Sequence, residues 1–184
     1  MRIKETIAVI FILAVAGMSL WLWNSPSGLK WAPDVTFTTL KGEKLNMGEL
    51  RGRPVLVTFW ATTCPGCLKE MPHLVELYEE LGNAGFELIG VAMSYDPPNR
   101  VLELTTERQL PYPIALDLDG ALAAAFGNVM LTPTSFLIDP DGRIIKHKIG
   151  EMDIAELRQQ VESLLHAQAA AKENRSGSPA RGQV

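Results

Sequence analysis

The chain has 184 residues and an apolar content of 47%, which is typical of a globular domain with short extensions. Its formal net charge of -4 gives no electrostatic basis for binding nucleic acid, so we expect no nucleic-acid partner. Only two cysteines and three histidines are present, which excludes a multi-disulfide framework and disfavours a zinc centre. We therefore expect no bound metal and no cofactor.

The first residues have the pattern of a membrane-targeting segment. Arg2 and Lys4 precede an apolar run over residues 7–23, in which Ser19 is the only polar side chain. As a helix this run approaches the thickness of a bilayer, and the positive charges before it favour a cytoplasmic N-terminus. We predict that residues 1–23 are a single-pass anchor in the inner (cytoplasmic) membrane, with the remaining chain facing the periplasm.

A cleaved signal peptide is the alternative for this segment, because Ala14-Val15-Ala16 fits a small-x-small cleavage site and would release a free periplasmic protein. Residues 24–30 form a short linker with proline and glycine. Residues 167–184 are rich in alanine, glycine, serine and charge, so we predict a disordered tail. The folded domain is thereby predicted to span residues 31–166.

Apolar runs and turn signals predict alternating strands and helices within this domain. Residues 54–60 form a continuous β-branched and apolar run, which indicates a central strand buried on both faces. The predicted elements, in chain order, are a hairpin of strands 35–40 and 44–46, the strand 54–60, a helix 65–81, a strand 86–93, a helix 101–109, an extended segment 112–116, a helix 119–126 capped by Asp119, strands 134–139 and 143–149, and a helix 153–166 capped by Asp153. This order predicts an α/β three-layer sandwich with a mixed central sheet and an N-terminal β-hairpin extension.

The two cysteines lie where the predicted central strand ends and the predicted helix begins. Unpaired N–H groups and the helix dipole at such a place stabilise a thiolate, so we predict Cys64 as the nucleophile. Cys67 follows one turn later, within disulfide reach, and is predicted to resolve the mixed disulfide formed with a substrate. Pro65 stands in the first helical turn, where its missing N–H is tolerated.

The segments FWATTCPGC (residues 59–67) and TPTSFLID (residues 132–139) together resemble the TlpA/ResA branch of the thioredoxin superfamily, which includes reductases of cytochrome c maturation. The resemblance covers residues 31–166. It implies a thioredoxin-like fold and a disulfide reductase acting on exported proteins, without a cofactor. It also implies a transmembrane thiol carrier of the DsbD or CcdA type as the electron donor.

The same resemblance implies roles for residues around the cysteines. Pro133 matches a cis-proline, with an ordinary trans loop proline as the alternative, and Thr132 would offer its backbone to an extended substrate segment. Glu70 matches a buried glutamate that would act as an acid/base group, with a solvated helix glutamate as the alternative. The predicted substrate-binding residues are Trp60, Pro65, Thr132 and Pro133, and core packing is the alternative for Trp60.

The chain also departs from the family pattern. Thr63 stands where a tryptophan often precedes the first cysteine, and Thr58 stands where classical thioredoxins carry a buried aspartate. Residues 127–131 lack the glutamate that often precedes the cis-proline in cytochrome-maturation members, which weakens assignment to that pathway. Two other activities are alternatives on the same fold: a copper-delivery module and a peroxiredoxin-like peroxidase, although Ala61 replaces the threonine that a peroxidase requires.

Overall fold

The computed structural model describes residues 31–176, which include all of the predicted folded domain. The predicted anchor (residues 1–23), the predicted linker (24–30) and the end of the predicted tail lie outside the described residues. Among the helices of the described part, none combines the length and the apolar composition needed to cross a bilayer.

The strands form at the apolar runs of the sequence, because β-branched and aromatic side chains pack well on a pleated surface. In chain order they are β1 (Thr36–Thr38), β2 (Lys44–Asn46), β3 (Val55–Trp60), β4 (Glu87–Ala92), β5 (Ile114–Leu116), β6 (Thr134–Ile138) and β7 (Ile144–Ile149). Every residue of β3 and β6 is buried, as expected for strands at the centre of a sheet that is covered on both faces.

The helices follow the strands in the predicted order. They are α1 (Pro65–Leu81), α2 (Pro98–Glu107), α3 (Ala121–Ala125) and α4 (Ile154–Ser176), and a short 3-10 turn (Gly82–Ala84) follows α1. The bounds of α1 coincide with the prediction. The cap predicted for α4 is also present, since Asp153 Oδ1 accepts a hydrogen bond from the Glu156 N–H at 3.1 Å.

The central sheet is mixed and has the strand order β5-β4-β3-β6-β7, while β1 and β2 pair as a separate antiparallel hairpin. Strands β3, β4 and β5 are parallel, and β6 and β7 are antiparallel to their neighbours. The C-terminal ends of β3, β4, β5 and β7 therefore meet the N-terminal end of β6 at one edge. Loops from all five strands of this sheet converge on that edge.

Two apolar clusters cover the two faces of the sheet. The first joins the sheet to α1, α2 and α4 through side chains such as Leu74, Val101 and Leu157. The second joins the sheet to α3 and the hairpin, where Phe37 and Phe126 are fully or almost fully buried. The predicted three-layer α/β sandwich with an N-terminal hairpin is confirmed.

Two helices begin or are capped differently from the prediction. Helix α2 begins at Pro98, three residues before the predicted start, because proline is tolerated in the first turn of a helix. The main cap of α3 is Asp117 rather than the predicted Asp119. The Asp117 carboxylate accepts hydrogen bonds from the N–H groups of Leu122 and Ala123, both at 2.9 Å, whereas Asp119 accepts one from Ala121 at 3.1 Å.

Helix α4 continues to Ser176, ten residues beyond its predicted end at residue 166. The described part of the predicted disordered tail is therefore helical. The sequence here is rich in alanine, which has the highest intrinsic helix propensity and needs no buried partner to extend a helix that has already formed. The side chain of Gln168 also donates a hydrogen bond to the Gly52 carbonyl, which ties this extension to the domain.

Candidate active site

Cys64 caps the N-terminus of α1, directly after the chain leaves β3. Its backbone is extended (φ -93°, ψ 107°), and its Sγ atom accepts a hydrogen bond from the Cys67 N–H at 3.2 Å. Pro65 occupies the first turn of the helix, where its missing N–H leaves no partner unsatisfied. A sulfur in this position faces unpaired N–H groups and the positive end of the helix dipole, and both stabilise a thiolate.

Cys64 and Cys67 are joined by a disulfide, with their Cα atoms 5.3 Å apart. Cys64 keeps 8% of its surface exposed, whereas Cys67 keeps 1%. Pro65, beside Cys64, is exposed. The sulfur that a substrate reaches first is therefore that of Cys64. This difference in access supports the predicted roles, with Cys64 as the attacking thiol and Cys67 as the resolving thiol.

The Thr132–Pro133 peptide bond is cis, so the alternative of a trans loop proline does not hold. Pro133 lies against the cysteine motif, because a Cβ atom built on Gly66 would be 3.5 Å from Pro133 Cδ. The Pro133 carbonyl accepts a hydrogen bond from the Gly150 N–H at 2.8 Å, which ties this loop to the end of β7. The cis-proline loop and the cysteine motif therefore adjoin at the converging edge of the sheet.

Glu151 borders the same glycine. A Cβ atom built on Gly66 would lie 3.4 Å from Glu151 Cγ and 3.5 Å from its Oε1, which are ordinary contact distances. The other carboxylate oxygen of Glu151 lies 2.6 Å from Lys69 Nζ in a largely exposed ion pair. Gly66 therefore has neighbours at ordinary contact distance on two sides, from Glu151 and from Pro133.

Glu70 lies on α1 one turn after Cys67, with only 4% of its surface exposed, so the alternative of a solvated helix glutamate does not hold. Its Oε2 atom accepts a hydrogen bond from the Met152 N–H at 3.2 Å. Burial raises the pKa of Glu70 to about 7. The hydrogen bond from Met152 lowers this pKa and the negative charge of Glu151 raises it, and both effects are smaller than that of burial. A carboxyl group that exchanges its proton near neutral pH is therefore placed close to the resolving thiol.

Trp60 is buried in the same apolar cluster as the two cysteines. Its Nε1 atom makes no hydrogen bond within the described residues, and it would lie 3.1 Å from a Cβ atom built on Gly90. Tyr112 borders the same glycine, and burial followed by the charge of Glu70 raises the pKa of its phenol. This placement favours the core-packing alternative for Trp60 over direct contact with a substrate.

The position of the buried aspartate of classical thioredoxins is occupied by a neutral pair. Thr58 is buried in β3, and the Ser135 hydroxyl of β6 donates a hydrogen bond to its Oγ1 at 2.8 Å. Neither Thr58 nor Ser135 can act as an acid or base near neutral pH. Glu70 is therefore the buried carboxyl group on the same helix as the resolving cysteine. Thr63, where a tryptophan often stands in the family, is exposed.

One buried carboxylate near the site is not predicted from the sequence. Asp96 follows β4 and has 5% of its surface exposed, and both of its oxygens accept hydrogen bonds from Thr62. Its position after a parallel strand was a usable signal, because the carboxyl ends of parallel strands meet at one edge. No feature of the sequence, however, pairs residue 96 with residue 62.

This arrangement performs dithiol–disulfide exchange. The Cys64 thiolate attacks one sulfur of a disulfide, forms a new S–S bond and releases the other sulfur as a thiolate. Cys67 then attacks the Cys64 sulfur, so the bound partner leaves as a dithiol with two electrons and the Cys64–Cys67 bond is restored. Within residues 31–176 no group of three or more His, Cys, Asp and Glu side chains is placed to hold a metal ion.

Comparison with known proteins identifies relatives with the same chemistry. The Redoxin family model matches residues 26–164. The thiol-disulfide oxidoreductase ResA of Bacillus anthracis is 36% identical over 137 residues, which cover 74% of this chain and 75% of that protein. ResA of Geobacillus thermodenitrificans is 29% identical over 167 residues, which cover 88% of this chain and 95% of that protein.

Solved structures of similar proteins have the same fold. StoA from Bacillus subtilis superposes with a TM-score of 0.60 at 29% identity, over 70% of this chain and 97% of that one. A thioredoxin-family thiol:disulfide interchange protein from Chlorobium tepidum superposes with a TM-score of 0.68 at 26% identity, over 77% of this chain and 99% of that one. The chain therefore belongs to the Redoxin family, among the ResA-like thiol–disulfide oxidoreductases of the thioredoxin superfamily.

Proposed function

We propose that this chain is a membrane-anchored protein-disulfide reductase that acts on exported proteins in the periplasm. The observation that carries the proposal is the placement of Cys64 at the N-terminus of α1, in a cysteine motif whose Gly66 lies against Pro133. Thr132 makes no backbone hydrogen bond to another described residue, so its N–H and carbonyl groups are available to an extended polypeptide. This supports a protein segment, rather than a small molecule, as the substrate.

The surface before the cis bond supports the same class of substrate. Met130 and Leu131 are 82% and 62% exposed, an unusual exposure for two adjacent large apolar side chains. An incompletely folded protein presents apolar side chains next to its disulfides, and such side chains are buried favourably against this surface. Trapping decides among the candidate substrates, which are apocytochrome c, a cytochrome oxidase assembly factor and a general pool of periplasmic disulfides.

The membrane anchor and the electron donor belong to the proposal. The basic and apolar pattern of residues 1–23 supports a single-pass anchor with the catalytic domain in the periplasm. A reductase outside the cytoplasm needs a source of electrons, for which a transmembrane thiol carrier of the DsbD or CcdA type is the proposed donor. Fractionation and protease treatment of spheroplasts test the topology. We expect the full chain to be recovered with the membrane fraction, and we expect added protease to digest its catalytic domain. Protection of the domain from the protease contradicts the proposal.

The direction of the reaction is set by the reduction potential of the Cys64–Cys67 pair. We expect a value nearer to that of thioredoxin, about -270 mV, than to that of the strong oxidant DsbA, about -120 mV. The measurement is equilibration of the full chain with glutathione buffers. A value close to that of DsbA makes the chain an oxidant and contradicts the proposed direction.

Turnover and trapping with the full chain in detergent or native membranes test the mechanism. Cys64→Ser abolishes reduction of a protein disulfide, because no thiol remains to begin the exchange. Cys67→Ser stops after the first step and accumulates mixed disulfides, which mass spectrometry identifies. Undiminished reduction by Cys64→Ser excludes the proposed mechanism, and a lack of trapped proteins with Cys67→Ser excludes exported proteins as substrates.

A further inference from the structure

Asp96 forms a double hydrogen bond to the turn that carries the attacking cysteine. Its Oδ2 accepts the Thr62 N–H at 2.5 Å, and its Oδ1 accepts the Thr62 hydroxyl at 2.6 Å. Only 5% of the Asp96 surface is exposed. Hydrogen bonds to an ionised carboxylate are stronger than neutral ones, and burial protects them from competition by water. Asp96 therefore fixes both the backbone and the side chain of Thr62.

The segment that carries Asp96 is itself held firmly. The Asp96 N–H donates to the Met93 carbonyl at 2.9 Å, and the Met93 N–H donates to the Trp60 carbonyl at 3.1 Å. Pro97 then caps α2, and the side chain of Val101 in the first turn of α2 is fully buried in the core. Asp96 thus connects a well-anchored helix to the loop that leaves β3.

The turn that is hydrogen-bonded to Asp96 ends at Cys64, the residue that carries the attacking sulfur. The Cys64 N–H donates to the Ala61 carbonyl at 3.1 Å, so residues 61–64 form a single closed turn with Thr62 inside it. A shift of this turn also moves the Cys64 sulfur relative to the Cys67 N–H, which lies 3.2 Å away. Displacements of this kind cost reaction rate steeply, even when they arise some distance from the reacting atoms.

We infer that Asp96 is a positioning residue for thiol–disulfide exchange, which acts through Thr62 to hold the Cys64 sulfur at the N-terminus of α1. The inference rests on Cys64 as the attacking thiol, as proposed above. The two ideas fail separately. Retained activity in Cys64→Ser contradicts the proposed mechanism. Variants of Asp96 and Thr62 test the positioning role with both cysteines intact.

Asp96→Ala and Asp96→Asn separate the hydrogen bonds from the charge, because both remove the charge. Asparagine still accepts the Thr62 N–H and can donate to the Thr62 hydroxyl, whereas alanine does neither. We expect the reduced full chain to react with glutathione disulfide about tenfold more slowly in Asp96→Ala than in Asp96→Asn. Equal rates in these two variants overturn the inference.

Thr62→Val and Thr62→Ser provide a second comparison without any change of charge, and it decides the matter if Asp96→Ala does not fold. Serine keeps the hydroxyl that donates to Asp96, whereas valine has a similar shape and removes it. We expect exchange to be several-fold slower in Thr62→Val than in Thr62→Ser, with Thr62→Ser close to wild type. Equal rates in these two variants overturn the inference as well.

Asp117→Ala is the matched control for a purely structural effect. Asp117 is also buried and also accepts two hydrogen bonds, but its donors are backbone N–H groups of α3 and not groups of the cysteine turn. We expect Asp117→Ala to lower the free energy of unfolding while leaving the rate of exchange and the reduction potential of the folded protein unchanged.

The reduction potential provides a further measurement. We expect the cysteine pair to be more reducing in Asp96→Ala than in Asp96→Asn, because a displaced Cys64 thiolate is stabilised less by the helix terminus. Equal shifts of potential in Asp96→Ala and Asp117→Ala make Asp96 merely structural and overturn the inference.

Discussion

Two buried carboxyl groups, Glu70 and Asp96, lie near the cysteine motif on different elements and have different hydrogen-bond partners. They are similarly buried, with 4% and 5% of their surfaces exposed. Asp96 places both oxygens on donors of one residue, Thr62. Glu70 accepts a single, longer hydrogen bond from the Met152 N–H within the described residues, and burial raises its pKa to about 7.

The contrast shows that burial alone does not assign a task to a carboxyl group. A carboxylate with donors on both oxygens is held in one orientation, which suits positioning. A carboxyl group with few donors is poorly compensated for its desolvation, so its neutral form becomes accessible at physiological pH and it can exchange a proton. The cysteine motif of this chain has one group of each kind.

The largest expected effect comes from removing the titrating group. Cys67 must lose its proton before it attacks the mixed disulfide, and Glu70, one helical turn away, is placed to accept that proton. We expect Glu70→Gln to slow the resolving step about a hundredfold at neutral pH and to remove the rise of rate near pH 7. Stopped-flow kinetics across pH measure both, with the exposed Glu76→Gln on the same helix as the control. A rise near pH 7 that survives in Glu70→Gln rules out this role.

The stability of the oxidised protein provides the next test. The native pKa of Glu70 is about 7 and its ordinary value is 4.5, so the native state retains a proton that the unfolded chain releases between these pH values. This contribution of roughly 3 kcal/mol is complete below about pH 4.5 and is lost as the pH rises through 7. Denaturant titrations at several pH values measure it. Burial raises the pKa of Glu87 in the same direction, so the difference between wild type and Glu70→Gln isolates the contribution of Glu70. Parallel pH curves for the two proteins contradict the raised pKa.

A packing change beside the same site separates steric from electrostatic effects. A Cβ atom on Gly90 would lie 2.7 Å from Ile114 Cδ1 and 3.1 Å from Trp60 Nε1, in a fully packed part of β4. We expect Gly90→Ala to reduce the free energy of unfolding by about 1–3 kcal/mol without moving the pH at which Glu70 titrates. Gly82→Ala is the control, because its Cβ would meet nothing closer than 3.5 Å. Equal stability of the two variants would show that β4 tolerates the extra carbon.

The smallest effect concerns the charge next to Glu70. Glu151 raises the pKa of Glu70, although it is the least of the causes identified. We expect Glu151→Gln to lower the pH midpoint of the Glu70 titration slightly and to leave the maximal rate of exchange near wild type. Lys69→Met removes the cation paired with Glu151 and should move the midpoint upwards instead. Shifts of the same sign in both variants exclude an electrostatic origin.

The local features of this site could be predicted from the sequence, and the contacts between distant segments could not. The apolar run ending at Trp60, followed by Cys64 and Pro65, predicts the strand, the start of α1 and the place of the reactive sulfur. The pairing of Asp96 with Thr62 spans 34 positions and depends on how the β4 loop meets the β3 loop. The burial of Glu70 likewise depends on Met152, 82 positions away. Helical periodicity indicates neither pairing, since it reports only neighbours within a few turns.

The contacts around Gly66 bear on how the redox strength of the cysteine pair can be changed. A first side-chain carbon at Gly66 would make only ordinary contacts, at 3.4–3.5 Å from Glu151 and Pro133, so these neighbours leave room for alanine at this position. Substitutions there alter the dipole and the hydration of the reactive sulfur while the scaffold stays intact. The redox strength of the cysteine pair can therefore be adjusted at position 66 without rebuilding the helix or the sheet around it.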